Sequence, residues 1–244
     1  MRIAAISDIH GNRLALEAVL DDILRRGVDA TVNLGDILSG PLDPVGTAGI
    51  LIPLDLPTIR GNHERHVLDD PAARLGRTDA FTRGALGDRE RGWLRALPET
   101  LRPSDAVFMC HGTPGSDLVY FMEDVDGATT RRATLDTVTQ RAGDCRAEVI
   151  LCGHTHVPRS LRLADGRLVV NPGSVGLQAY TDVEPNPHAV EIGSPHARYA
   201  VIEKRRHGWR VEHVELDYDW HAAARQAAAN GRDDWARWLA TGWN

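Results

Sequence analysis

The chain has 244 residues, 42% of them hydrophobic and 25% charged, with a formal net charge of −6. That length buries enough apolar surface to need neither disulfides nor a structural metal, and the negative balance supplies no global basic field for nucleic acid. No apolar run approaches the ~20 residues of a membrane span, and Cys110, Cys145 and Cys152 are an odd set without paired spacing, as expected of buried thiols in a reducing cytoplasm.

Arg2–Ser7 is a short apolar run that reads as a core strand, with no cleavable leader ahead of it. Asn12 then caps a helix whose Leu16, Val19, Leu20, Ile23 and Leu24 recur at helical spacing, and Gly27 stops it. Strands are predicted at Ala30–Leu34 and Pro57–Arg60, a helix at Arg89–Leu97, a strand at Ala106–Cys110, a helix at Thr129–Ala142 and a buried strand at Glu148–Cys152. Strands alternating with helices predict a layered α/β fold with parallel pairing in this half. Beyond residue 156 the pattern changes. Arg159–Leu163 and Arg167–Asn171 flank the hairpin signal Asp165-Gly166, and Arg198–Arg206 and Trp209–Asp217 flank His207-Gly208. These hairpins predict a second, more antiparallel sheet packed on the first. Asp219–Leu239 reads as helical with an interruption at Gly231, and Trp220, Trp235, Trp238 and Trp243 are expected to pack onto the sheet. With no internal repeat or long linker, one domain over residues 1–244 is expected, its motifs in 1–156 and the hairpins and last helices in 157–244.

The chemistry is carried by short motifs that each follow a predicted strand: Asp8-Ile9-His10-Gly11, Gly35-Asp36, Gly61-Asn62-His63-Glu64, His111-Gly112 and Gly153-His154-Thr155-His156. In a layered α/β fold the carboxyl ends of the strands gather on one edge, where ligands bind, so residues far apart in sequence converge there. Taken alone, an Asp after a strand is a helix cap, Asn62 a turn residue and His111 a structural histidine. Taken together, in this order and each at a strand end, they point to one site. Arg65–Arg89 and Gly112–Arg131, the largest irregular stretches, directly follow such motifs and are expected to cover it.

This set resembles the signature of the calcineurin-like metallophosphoesterase superfamily: D-x-H, G-D, G-N-H-E/D, H and G-H-x-H. The match covers residues 8–156, and Gly40-Pro41 with Asn171-Pro172-Gly173-Ser174 is similar to its compact bacterial and archaeal branch. The resemblance implies an α/β fold of two packed mixed β-sheets flanked by helices. It implies that Asp8, His10 and His156 hold one metal, that Asn62, His111 and His154 hold another, and that Asp36 bridges them. Mixed nitrogen and oxygen ligands suit Mn, Fe, Zn, Co or Ni rather than Mg or Ca. The implied reaction is in-line attack by a metal-bridging hydroxide on a phosphoester, with His63 as the acid that protonates the leaving group.

The sequence also departs from one branch. Where protein phosphatases continue the second motif as G-D-x-x-D-R, this chain has Ser39 and Gly40, losing a carboxylate beside the acid and an Arg for phosphate. Arg65, Arg60 and Arg13 are the cations near the motifs, with Arg65 the candidate for substrate binding. Gly40 is expected to leave room for the second ester group of a diester. The reading is therefore a hydrolase for a small phosphodiester or nucleotide-like substrate. The alternatives are a phosphomonoesterase or protein phosphatase, or a non-catalytic scaffold of the kind this fold provides in membrane-coat assembly. The partner expected is a small phosphorylated molecule, neither membrane nor nucleic acid, and a homo-oligomer is compatible with the chain.

Overall fold

The computed structural model describes residues 1–244. In chain order the elements are β1 (Arg2–Ile6), α1 (Arg13–Arg26), β2 (Ala30–Asn33), α2 (Pro44–Leu54), α3 (Asn62–Asp69), α4 (Arg77–Ala85), α5 (Asp88–Ala96), β3 (Leu101–Ser104) and β4 (Val107–Met109). There follow β5 (Glu123–Asp126), β6 (Thr129–Arg132), α6 (Leu135–Ala142), β7 (Val149–Leu151), β8 (Arg159–Arg162), β9 (Leu168–Asn171), β10 (Ala179–Asp182) and β11 (His188–Glu191). The chain closes with β12 (Ala197–Arg205), β13 (Gly208–Leu216), α7 (Trp220–Ala229) and α8 (Asp233–Thr241).

Two sheets pack face to face. One is four-stranded in the order β13-β12-β1-β2, the other five-stranded in the order β3-β4-β7-β9-β8. Side-chain alternation along each strand builds the layers. In β1, Ile3 and Ala5 point at the opposite sheet, where they meet Val107, Met109, Val149, Leu151 and Val170. Ala4 and Ile6 point the other way, onto Leu16, Val19 and Ile23 of α1. In β7, Val149 and Leu151 face the sheet interface while Ile150 faces Val138 and Ala142 of α6. Helices on both outer faces complete the sandwich of two mixed sheets that the resemblance implies.

The late hairpins do not form a sheet of their own. β12–β13 extends the first sheet, because β12 pairs antiparallel with β1 from Arg2↔Glu203 to Ala5↔Ala200. β8–β9 extends the second, because β9 runs parallel to β7. Each hairpin has an apolar strand facing a sheet edge already present, and pairing there satisfies its backbone donors.

Other expectations shift for local reasons. Thr129–Arg132 is a strand paired with β5, and the helix begins only after Thr134, whose hydroxyl accepts from the Thr137 N–H. Pro57–Arg60 is reduced to one bridge between Asn33 and Thr58. Arg65–Arg89 is largely helical, taken up by α3, α4 and the start of α5, with Glu64 capping α3 by accepting the Gly61 N–H at 2.7 Å and Glu90 capping α5 by accepting the Gly87 N–H at 3.0 Å. Helix α2, unforeseen, starts where Asp43 accepts the Gly46 N–H and Pro44 takes the first helical position. Two of the tryptophans pack against β10 of the two-stranded β10-β11 sheet rather than on either large sheet. Trp235 and Trp238 are buried with α7 residues, Leu177 and Ala179, whereas Trp243 is 54% exposed. No helix is long and apolar enough to cross a membrane.

Candidate metal centre

β1 and β2 run parallel, as do β4, β7 and β9, so their carboxyl ends lie on one edge. Just past those ends stand Asp8 and His10, Asp36, His111, and His154 and His156, while Asn62 opens α3. All seven side chains are buried. The backbone that aims them is strained: Asp8, His10, Asp36, His154 and His156 have φ of 54°, 53°, 52°, 68° and 59°, in the left-handed region that L residues rarely enter.

Close packing holds the first ligand loop in that shape. A Cβ on Gly40 would fall 1.8 Å from the His10 carbonyl oxygen, and one on Gly176 would fall 1.8 Å from that of Ile9. The space at Gly40 is thus filled by the His10 backbone, with the Trp235 ring 3.4 Å from the same point. The expectation that Gly40 leaves room for substrate is corrected. Glu64 holds the next loop, accepting the N–H groups of Asp36 at 2.8 Å and Ile37 at 2.7 Å. Ser174 of the Asn171–Ser174 turn donates to the Asp8 carbonyl at 2.7 Å.

The side chains fall into two groups of ligand atoms, Asp8 with His10 and His156, and Asp36 with His111 and His154. Asn62 Oδ1 lies 3.1 Å from His111 Nε2, which is also 3.0 Å from Asp36 Oδ2. Their hydrogen bonds test whether a cation fits. The Nδ1 atoms of His10, His111 and His156 lie 2.7, 2.8 and 2.8 Å from the carbonyls of Ser39, Leu34 and Leu177. A carbonyl only accepts, so each Nδ1 carries the proton and, in the neutral ring, each Nε2 presents a lone pair. His10 Nε2 and His156 Nε2 then face each other at 3.1 Å, beside the carboxylate of Asp8. His154 uses the other tautomer: its Nε2 donates to the Leu118 carbonyl at 3.0 Å, freeing Nδ1. Acceptors thus converge where neutral rings offer no proton. This is a donor set that fits metal cations, with each imidazole anchored by a backbone carbonyl.

Titration behaviour follows the same crowding. Burial, reinforced by the neighbouring imidazole of His156, pushes His10 down to about 3. Burial, with the charge on His111, pushes His154 down to about 4. Burial also works against His111, but Asp36 and Asp8 outweigh it and raise it to about 9. The Asp36 carboxyl, despite its burial, is held well below its ordinary value by His111 and His63.

His63 stands at the cleft wall, its Nδ1 2.7 Å from Asp79 Oδ1. Ser39 Oγ donates to the same oxygen at 2.5 Å. Asp79, at the start of α4, therefore supplies the carboxylate missing from position 39, and nothing in the sequence marks it. Burial would lower His63, but Asp79 and then Asp36 overcome it and raise the ring to about 10.

A cleft of about 890 Å³ opens over these groups, walled by Tyr120, Tyr180, Leu177, Trp235 and Trp238. Arg65 is not among its lining residues. It makes a paired contact with Asp117 at 2.8 and 3.0 Å, tying α3 to the segment after His111. Arg60 pairs with Glu99, and Arg13 with Glu17 and Asp43. The arginines that do line the cleft are Arg141, bound to Asp124, and Arg232, bound to Asp234.

Comparison with known proteins agrees with this geometry. The calcineurin-like phosphoesterase superfamily domain matches residues 1–190. The crystal structure of a metallophosphoesterase from Sphaerobacter thermophilus is 27% identical, with a TM-score of 0.75 over 99% of this chain and 100% of that one. A hypothetical protein from Pyrococcus horikoshii shares the fold at 18% identity and a TM-score of 0.75, covering 99% of this chain and 98% of its own. An uncharacterized protein of Methanocaldococcus jannaschii is 26% identical over 248 residues, 96% of this chain and 94% of that sequence. The chain belongs to the calcineurin-like phosphoesterase superfamily.

Proposed function

We propose that this protein is a dinuclear-metal hydrolase that cleaves small phosphodiesters or nucleotides. The observation that carries the proposal is the convergence of acceptors just described, above all the facing Nε2 atoms of His10 and His156 at 3.1 Å. In this reading Asp8, His10 and His156 hold one divalent transition-metal ion, Asn62, His111 and His154 hold the other, and Asp36 is shared. Ions bound there supply an acidified water as nucleophile and charge to offset the phosphoryl oxygens.

The protein's own part is to position and to move a proton. His63 lines the cleft, and with Nδ1 held by Asp79 its Nε2 is the nitrogen left to face a leaving oxygen. A ring raised to about 10 is charged at neutral pH, so it holds the proton that the departing alkoxide needs. Ser39 and Asp79 keep it in that state and orientation, as positioning residues.

Substrate size and charge support a small diester. The cleft of about 890 Å³ accepts a nucleotide-sized molecule. Its two arginines are each bound to a carboxylate, so no unpaired arginine lines it to grip the second charge of a monoester dianion. Chromogenic monoester and diester substrates, assayed in parallel across Mn, Fe, Zn, Co and Ni, test the reading. Metal-dependent turnover favouring the diester is expected. Turnover of a folded phosphoprotein without turnover of small diesters would overturn it.

A further inference from the structure

A third grouping of ligand-type side chains lies outside the two buried clusters. One ligand atom from each of His63, His66 and Asp79 lies within 4.8 Å of the others. His63 and His66 are three apart on α3 and so share a face, with ring centroids 5.8 Å apart. Asp79 reaches across from α4 and offers one oxygen to each ring: Oδ1 is 2.7 Å from His63 Nδ1, and Oδ2 is 3.8 Å from His66 Nδ1. Donors at ~2.0–2.1 Å from a tetrahedral zinc sit roughly 3.3 Å from one another, so ligand atoms already within 4.8 Å need close by only about 1.5 Å or less. The histidine side chains are 28% and 24% exposed and line the cleft, so a remaining coordination position faces solvent. Two imidazoles and one carboxylate suit a borderline ion such as Zn²⁺ over Mg²⁺ or Ca²⁺.

We propose that His63, His66 and Asp79 form a third divalent-metal site, filled by Zn²⁺ at higher concentration than the catalytic pair, and that filling it shuts the enzyme down. On binding, zinc bonds to Nδ1 of each histidine and to a carboxylate oxygen of Asp79. The Nδ1–H···Asp79 hydrogen bond of His63 breaks, and that proton leaves to solvent. His63 keeps only the N–H of a neutral, metal-held ring, a weaker acid than an imidazolium and no longer free to follow the leaving oxygen. The site stands on its own geometry, whereas its effect on turnover rests on His63 being the acid of the proposed function.

The experiment starts from enzyme carrying two zinc ions per chain, so that added zinc cannot act by exchange. It is dialysed against rising free zinc, bound zinc is counted by elemental analysis, and hydrolysis is followed with alkyl and nitrophenyl diesters. The wild type should take up a third equivalent and lose about tenfold or more of its activity on the alkyl diester, where protonation matters most. The nitrophenyl diester should lose less. His66→Gln, shown to be folded by circular dichroism, with His66→Asn in reserve, should need roughly 10–100-fold more zinc for the same fractional loss of its own activity. Uptake of a third equivalent unaffected by His66→Gln, or no third equivalent at millimolar zinc, would overturn the site. Uptake that depends on His66, with equal loss on both substrates, would uphold the site and overturn the acid role of His63.

Discussion

Replacing Asp79 by Asn keeps shape and polarity while removing the charge that faces His63 at 2.7 Å. Asp79 is buried, so solvent does little to screen the pair. A hydrogen bond to a charged partner in such a setting is worth about 1.5–3 kcal/mol. At 1.36 kcal/mol per pKa unit this corresponds to a drop of about 1–2 units in His63. The ring is raised to about 10 in the metal-free protein, bound cations would bring it lower, and its acid form is the active one in this reading, so activity is lost as pH rises through its pKa. Asp79→Asn should therefore move the alkaline limb of kcat/KM down by about 1–2 pH units. Above the lowered limb, where only the variant has lost the proton, turnover of an alkyl diester should fall by about tenfold or more relative to the intact protein, and turnover of a nitrophenyl diester by much less. At metal concentrations that fill only the two buried clusters, metal content should stay unchanged, because Asp79 belongs to neither of them. Paired pH–rate profiles on the two substrates, with elemental analysis of the same preparations, decide the matter. An unmoved alkaline limb, or an equal loss on both substrates, would refute the assignment of Asp79 as the group that poises His63.

The remaining predictions concern the metals and the loops that aim them. Asp36→Ala should deplete both sites while Asn62→Ala depletes chiefly one, as read by metal per chain; full double occupancy in Asp36→Ala would exclude a shared ligand. His111, raised to about 9, is protonated at pH 7.5 in metal-free protein and must lose that proton to bind, whereas His10 and His154, at about 3 and 4, are already neutral. Metal uptake at pH 7.5 should thus release about one proton, and affinity should weaken by about tenfold per unit as pH falls below about 9. Calorimetry in buffers of different ionisation enthalpy measures this, and uptake without proton release would contradict it. Gly40→Ala pushes a methyl into the His10 carbonyl and should cost about 1–3 kcal/mol together with metal content. Gly49→Ala, in α2 with nothing within 4 Å, should leave metal intact and gain roughly 0.5–1 kcal/mol; thermal melts of the two compare them.

The gathering of these side chains on one edge was legible because most of them follow a strand whose apolar run is visible, and a parallel sheet brings such positions together. Asp79 was not legible. Its contact with His63 depends on how α4 lies against α3, and one Asp among the many of a charged surface carries no local signal. The placing of both late hairpins in one separate sheet failed for a related reason, although two packed sheets are present: the pairing of β12 with β1 joins residues about 200 positions apart, which local pattern does not encode. At Gly40 the sequence shows a missing side chain but not what fills the space, and the His10 backbone and Trp235 fill it.

The left-handed backbone at Asp8, His10, Asp36, His154 and His156 carries a torsional cost that bears on substitution there. An L residue held there gives up roughly 1–2 kcal/mol, with Asp at the lower end. A glycine gives up almost none of it. A descendant released from catalysis would therefore drift toward glycine at these positions, shedding buried charge and torsional tension together, and its metal centre would decay in a recognisable pattern. The same arithmetic guides the choice of an inert variant for capturing substrate: His156→Gly should melt higher than His156→Ala, although both have lost the same imidazole.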